Sequence, residues 1–317
     1  MNSHSLSIRL AVVAALLPLA AAIAEEPPAY LFSYFTGRGE EGLKLAGSTD
    51  GRRWESIAGG RSLLQPTVGD AKLMRDPHLV EGPDGTYHLV WTTAWETQEI
   101  GYATSRDLIN WSEQRALPVM AGIEGTRNCW APEAVYDRAH DRFVIFWSST
   151  VAGRFPETAG QSEDQYNHRI YVTTTRDWIT FTPAEVLFEP GFSVIDATFA
   201  EDRQGRLHLI VKDETRYPPK KHLRVARAES YLGPFGPLGE PFTPDWVEGP
   251  TALRIGDDVI VYYDRYRDRQ YGAQRSQDLQ TWEDVSDELI LPAGIRHGTA
   301  LRVPPALLAA LQQLPAE

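Results

Sequence analysis

The chain has 317 residues, 42% of them hydrophobic and 23% charged, with a formal net charge of −12. This composition excludes a disordered chain and a coiled coil, and the acidic balance argues against a nucleic-acid partner, which would need a basic face. With one cysteine, Cys129, there is no internal disulfide, so the fold must be held by its core.

Residues 1–24 have the pattern of an export signal: Arg9, an apolar run over residues 10–22, and a small-x-small cleavage site at Ala22-Ile23-Ala24. The run is too short for a comfortable membrane span. The expected product is exported, periplasmic or extracellular, free of the membrane, and a single domain over residues 29–317.

From residue 30 onward one phrase recurs. It is a short apolar strand, a Ser/Thr/Arg step, an acidic residue and then an aromatic. It occupies residues 43–54 (LKLAGSTDGRRW), 100–111 (IGYATSRDLINW), 170–181 (IYVTTTRDWITF), 223–235 (LRVARAESYLGPF) and 271–282 (YGAQRSQDLQTW), the fourth copy being the most degraded. A strand rich in β-branched and aromatic residues precedes each copy, at residues 30–36, 87–93, 143–149, 207–211 and 259–264. Only residues 304–313 (PPALLAALQQ) suggest a helix. Strand repeats of roughly fifty residues separated by turn residues predict an all-β, five-bladed β-propeller.

A third strand set carries acids: Asp76 in DPHLV, Glu133 in EAVYD, Asp196 in DATFA and Glu248 in EGPTAL. Each acid precedes a turn position (Asp84, Asp141, Gln204, Gly256) by the same spacing, which predicts that all four occupy one structural position facing the axis. Residues 296–303 (RHGTALRV) resemble a further first strand. Its outer strands are expected to be the N-terminal ones, 30–35 and 43–47, so that the two ends of the chain share the last blade and leave no free edge. His297 then fills the fifth axial position, as a donor to an acid, a water ligand or a metal ligand.

Clustered carboxyls raise one another's pKa, so a ring of acids can hold one proton while the others stay ionised. Glycosidic hydrolysis needs that arrangement: a protonated carboxyl for the leaving oxygen and an ionised one to activate water or attack carbon. A cation site, with calcium on the axis, is the alternative use of such a ring, and no other cofactor is expected. Gly37-Arg38-Gly39-Glu40-Glu41-Gly42 matches a dinucleotide-loop pattern but is followed by a strand instead of a helix, so it is a hairpin loop.

Arg75-Asp76-Pro77, Trp130-Ala131-Pro132-Glu133, Ile195-Asp196-Ala197 and Glu248-Gly249-Pro250 resemble the blade-start motifs of glycoside hydrolase family 43, over roughly residues 30–303. The resemblance implies a five-bladed, inverting enzyme with Asp76 as general base, Asp196 as the residue that tunes pKa and orientation, and Glu248 as general acid. It also implies a pocket-lining place for Glu133. Trp95 and Trp130 are candidate sugar platforms, Trp130 equally a core aromatic, and Arg267 is a candidate substrate or acid contact beside His297. The expected partners are oligosaccharides or polysaccharide side chains carrying arabinofuranose, with xylose or galactofuranose next. Two rival readings stand against this: a retaining sucrose or fructan hydrolase, whose opening motif is missing near Tyr30, and a non-catalytic propeller that binds sugar or calcium.

Overall fold

The computed structural model describes residues 27–316; the export-signal segment, 1–24, lies outside them. Five antiparallel sheets surround one axis. Blade 1 comprises Arg75–Glu81, Tyr87–Thr92, Ile100–Ser105 and Arg115–Leu117. Blade 2 comprises Trp130–Asp137, Arg142–Ser149, Arg169–Thr175 and Glu185–Phe188. Blade 3 has three strands, Val194–Glu201, Leu207–Asp213 and Leu223–Arg227. Blade 4 comprises Glu248–Ile255, Asp258–Arg265, Gln270–Ser276 and Glu283–Asp284. Blade 5 joins Arg296–Val303 to Ala29–Phe35, Lys44–Ser48 and Glu55–Ser56, which is the expected closure. One short helix, Pro305–Gln312, follows.

The recurring phrase proves to be a turn. In four blades a Ser or Thr ends the third strand and an Asp two residues later accepts the next backbone N–H groups. Asp107 takes Ile109 and Asn110 at 2.9 and 2.7 Å, and Asp278 takes Gln280 and Thr281 at 2.9 and 2.8 Å. Blade 3 carries the degraded copy and also has no fourth strand.

Five apolar clusters fill the five seams between blades. Glycines in third strands admit rings from the strand beside them. Gly101 pairs with Trp91, and a Cβ at Gly101 would lie 1.9 Å from that indole.

All five inner strands carry a bulge near their starts, one extra residue against the neighbouring strand. The bulge defines the true register. Arg75, Trp130, Ile195, Glu248 and Arg296 stand just before it. Asp76, Ala131, Asp196, Gly249 and His297 follow, and the first four have φ of 51°, 44°, 53° and 59°. His78, Glu133, Thr198, Thr251 and Thr299 stand two residues deeper. The four acids therefore occupy three registers, and the expectation of one shared position is corrected. Counting back from the turns misaligned them because the hairpin loops differ in length: Glu81 pairs with Tyr87, but Ile255 pairs with Asp258.

Candidate active site

The five residues before the bulges all line one axial pocket of about 350 Å³, with Asp76, Asp196 and His297 beneath them. Its rim is completed by Gly37 and Arg38 from blade 5, Trp95 from blade 1 and Glu214 from blade 3. Asp76, Asp196 and Glu248 are thus brought together, from three blades.

The bulge turns the Asp76 carboxylate into a set of donors. Thr92 Oγ1 donates to its Oδ2 at 2.8 Å, and His297 Nδ1 stands 3.3 Å from its Oδ1. Burial pushes the Asp76 pKa up, but His297, Arg75 and Thr92 outweigh it and hold the group at about 2. Burial likewise opposes charge on His297, yet Asp76, Asp196 and Glu133 raise its pKa to about 9. The imidazole is therefore the cationic partner of Asp76. Among the described residues no group of three or more His, Cys, Asp or Glu side chains is arranged to hold a metal ion.

Asp196 Oδ2 accepts the Gly249 backbone N–H at 3.0 Å, and its own N–H donates to Ser148 Oγ at 3.1 Å. Burial raises its pKa to about 6, with Glu248 and Asp76 adding to the rise and His297 and Lys212 opposing it. Glu248 moves the other way. Burial raises it, but Lys212 and Arg296 prevail, donating to Oε2 and Oε1 at 3.2 and 3.0 Å, and its pKa is lowered. Arg296 Nε also donates to Asp264 Oδ2 at 2.5 Å. Burial lifts Asp264 to about 6 despite that contact.

Lys212, Asp264 and Thr92 were not anticipated from the sequence. All three are the second-strand partners of pre-bulge residues: Ile195 faces Lys212, Glu248 faces Asp264 and Arg75 faces Thr92. The available signal was a Lys and an Asp at the ends of the apolar strands LHLIVKD and DVIVYYDR.

Trp95 and Trp130 both reach the pocket, their rings 5.7 Å apart edge to face, with Trp130 Nε1 donating to the Trp95 carbonyl at 2.8 Å. Tyr166 packs on Trp130 at 4.7 Å, so the segment 151–168 buttresses this wall and does not line it. Two expected pocket residues stand elsewhere. Glu133 is buried one tier below, 3.6 Å from His78 Nδ1, because its register is two residues deeper than that of Asp76. Arg267 lies over the Trp246 ring, 3.1 Å from its centroid, on the blade 4 loop and off the axis.

A family model described as "Probable glycosyl hydrolase domain", of the glycosyl hydrolase 43-related type, matches residues 25–306. The chain is similar to the solved α-L-arabinofuranosidase of Lactobacillus brevis (TM-score 0.52, 18% identity, 67% of this chain and 72% of that one). It is also similar to a solved GH43 β-1,3-galactosidase (TM-score 0.51, 16% identity, 70% of this chain and 48% of that one). Among curated proteins, an α-L-arabinofuranosidase of Bifidobacterium longum subsp. longum is 23% identical over 145 residues, 39% of this chain. The chain spans only 14% of that relative's length.

Proposed function

The chain belongs to the glycosyl hydrolase 43-related family, and from that premise we propose that it is an exo-acting, inverting glycosidase. Its substrates in this reading are arabinofuranosides, or related furanose and pentose units, on plant-type glycans. The observation that carries the reading is the convergence of Asp76, Asp196 and Glu248 on one small axial pocket walled by Trp95 and Trp130. At about 350 Å³ the pocket is small enough to favour release of a terminal unit, with Arg75 and Trp95 of its lining left to meet the next one.

In the proposed reaction Asp76, ionised because its pKa is near 2, takes a proton from water. That water oxygen bonds to the anomeric carbon as the bond to the glycosidic oxygen breaks, and the leaving oxygen takes a proton from Glu248. In the resting pocket the carboxyl with the raised pKa is Asp196, whereas Lys212 and Arg296 favour ionised Glu248. Asp196 and Glu248 therefore titrate as an interacting pair. In this reading substrate excludes water from the pocket, and the loss of solvation favours the protonated form of Glu248 that the reaction needs. The chemistry requires no cofactor. Export to the periplasm or outside the cell, where such glycans are met, is part of the same proposal.

The experiment is hydrolysis of aryl α-L-arabinofuranoside, β-D-xyloside, β-D-galactofuranoside and β-D-galactoside, with product anomers followed by NMR. Release from one furanoside or pentoside with inverted configuration, lost in Asp76→Asn, is the expected result. Release with retained configuration overturns the mechanism, and silence towards all four, with no binding of oligosaccharides, overturns the enzyme reading.

A further inference from the structure

We infer that Arg75 is a specificity-determining residue that receives a carboxylate of the substrate, so that the preferred glycans carry hexuronate units beside the residue released. This inference rests on the glycosidase reading above and names its substrate class.

Arg75 holds the same pre-bulge position on blade 1 that Glu248 holds on blade 4, so its side chain belongs to the pocket wall. Its guanidinium lies between two aromatic rings, 4.7 Å from the Phe35 centroid and 4.4 Å from that of Trp95. Close backbone approach seats the stem: a Cβ at Gly39, where φ is +93°, would meet Arg75 Cγ at 2.8 Å. The plane of the fork is fixed by these rings, which leaves its N–H edges as the groups available for hydrogen bonding.

Those edges are almost unused. Among the described residues the single hydrogen bond from the Arg75 side chain is Nη1 to the Arg38 carbonyl at 3.4 Å. Among the described residues no carboxylate lies within 4.0 Å of Arg75, in a chain where 43 acidic residues face 31 basic ones. The other pocket arginines differ. Arg296 is occupied by Asp264 and Glu248, and Arg38 lies 3.7 Å from Glu40. A planar, immobilised guanidinium that feels Asp76 only through space, with no carboxylate in contact, matches a carboxylate in two-pronged geometry. Neutral hydroxyls would accept the same N–H groups but would not form the charge-assisted, two-pronged pair.

The test uses the Glu248→Gln protein and oligosaccharides cut from an acidic arabinogalactan, which combine arabinofuranosyl, galactosyl and hexuronate units. Calorimetric titration compares these with the same oligosaccharides after carboxyl reduction. We expect the acidic form to bind at least about tenfold tighter at low ionic strength, with the preference shrinking in high salt. In Arg75→Gln the preference should fall below about twofold. Arg75→Lys, which keeps the charge without the planar fork, should recover only part of it. Melting curves confirm that each variant is folded. Equal binding of both forms, or a preference that survives Arg75→Gln, overturns the inference. If neither form binds while simple aryl glycosides are hydrolysed, the inference fails and the glycosidase reading stands; if the aryl glycosides are inert as well, both fail.

Discussion

His297 Nδ1 stands 3.3 Å from Asp76 Oδ1, so the blade that closes the ring is ion-paired to the first carboxylate of the pocket. The pair makes stability depend on pH from both sides. Asp76 is held at about 2 against an ordinary 3.8, so its contribution is present above pH 3.8 and lost as pH falls towards 2. His297 is raised from 6.5 to about 9, so its contribution is present below pH 6.5 and lost as pH rises towards 9. Each side amounts to about 2–3 kcal/mol, and because the Asp76–His297 contact is counted in both they do not add in full. Asp196, raised to about 6, works the other way: its contribution is full below pH 3.8 and lost as pH rises to 6. Thermal melts from pH 2 to 10 should show the alkaline decline in the native protein and not in His297→Gln. A flat melting temperature from pH 6.5 to 9 in the native protein would rule the ion pair out.

The opposite pKa shifts of Asp196 and Glu248 predict different signatures for the two carboxyls. Glu248→Gln should lower turnover about 10²–10⁴-fold on oligosaccharides, and far less on aryl glycosides whose leaving groups need no proton. Asp196→Asn removes the carboxyl raised to about 6, so the alkaline limb of kcat/KM, left to Glu248 with its lowered pKa, should lie at lower pH. Dependence on leaving group in Asp196→Asn instead of Glu248→Gln would exchange their roles.

Lys212 is 2% exposed and bridges Glu214 and Glu248 at 2.8 and 3.2 Å. Lys212→Met leaves Glu214 with Lys221 and Glu248 with Arg296 as their remaining cations, and should cost about 1–3 kcal/mol. The deficit should be larger at pH 8 than at pH 5, because protonation relieves it. The pKa of Glu248 should rise and carry the alkaline limb of activity upward. Denaturant titrations at the two pH values and a pH–rate profile test both parts, and an alkaline limb that stays in place would remove Lys212 from control of Glu248.

Gly249 and Gly101 separate site from scaffold. A Cβ at Gly249, where φ is +59°, would lie 2.3 Å from His297 Cγ; one at Gly101 would lie 1.9 Å from Trp91. Each change to Ala should destabilise by about 1–3 kcal/mol through overpacking. Gly249→Ala displaces His297 and should also shift the acid limb of the pH–rate profile upward, since Asp76 loses its partner. Gly101→Ala should leave the profile of the folded fraction unmoved. Identical profiles for the two variants would show that His297 is not placed by Gly249.

Local chemistry written in the chain was enough for the architecture. Strand propensity, the Ser/Thr-x-Asp turns and their spacing of roughly fifty residues point to five blades. The lack of outer strands after residues 296–303 points to closure by the N-terminal pair. The motifs around Asp76, Asp196 and Glu248 likewise marked the acids that meet in the pocket.

What the sequence by itself could not decide was depth along the axis and charge state. Side-chain direction depends on the bulges and on hairpin loop lengths, which are properties of strand pairing, and a shift of one residue reverses a side chain's face. Hence Glu133, matched by spacing, sits a tier below, while Arg75 and Arg296 share the wall with Glu248. Protonation depends on burial and on partners more than 30 residues away in the chain, such as Lys212 for Glu248 and His297 for Asp76. Packing of blade 3 on blade 4 brings Lys212 to Glu248, closing the ring brings His297 to Asp76, and inside a desolvated pocket these charges decide which carboxyl keeps the proton.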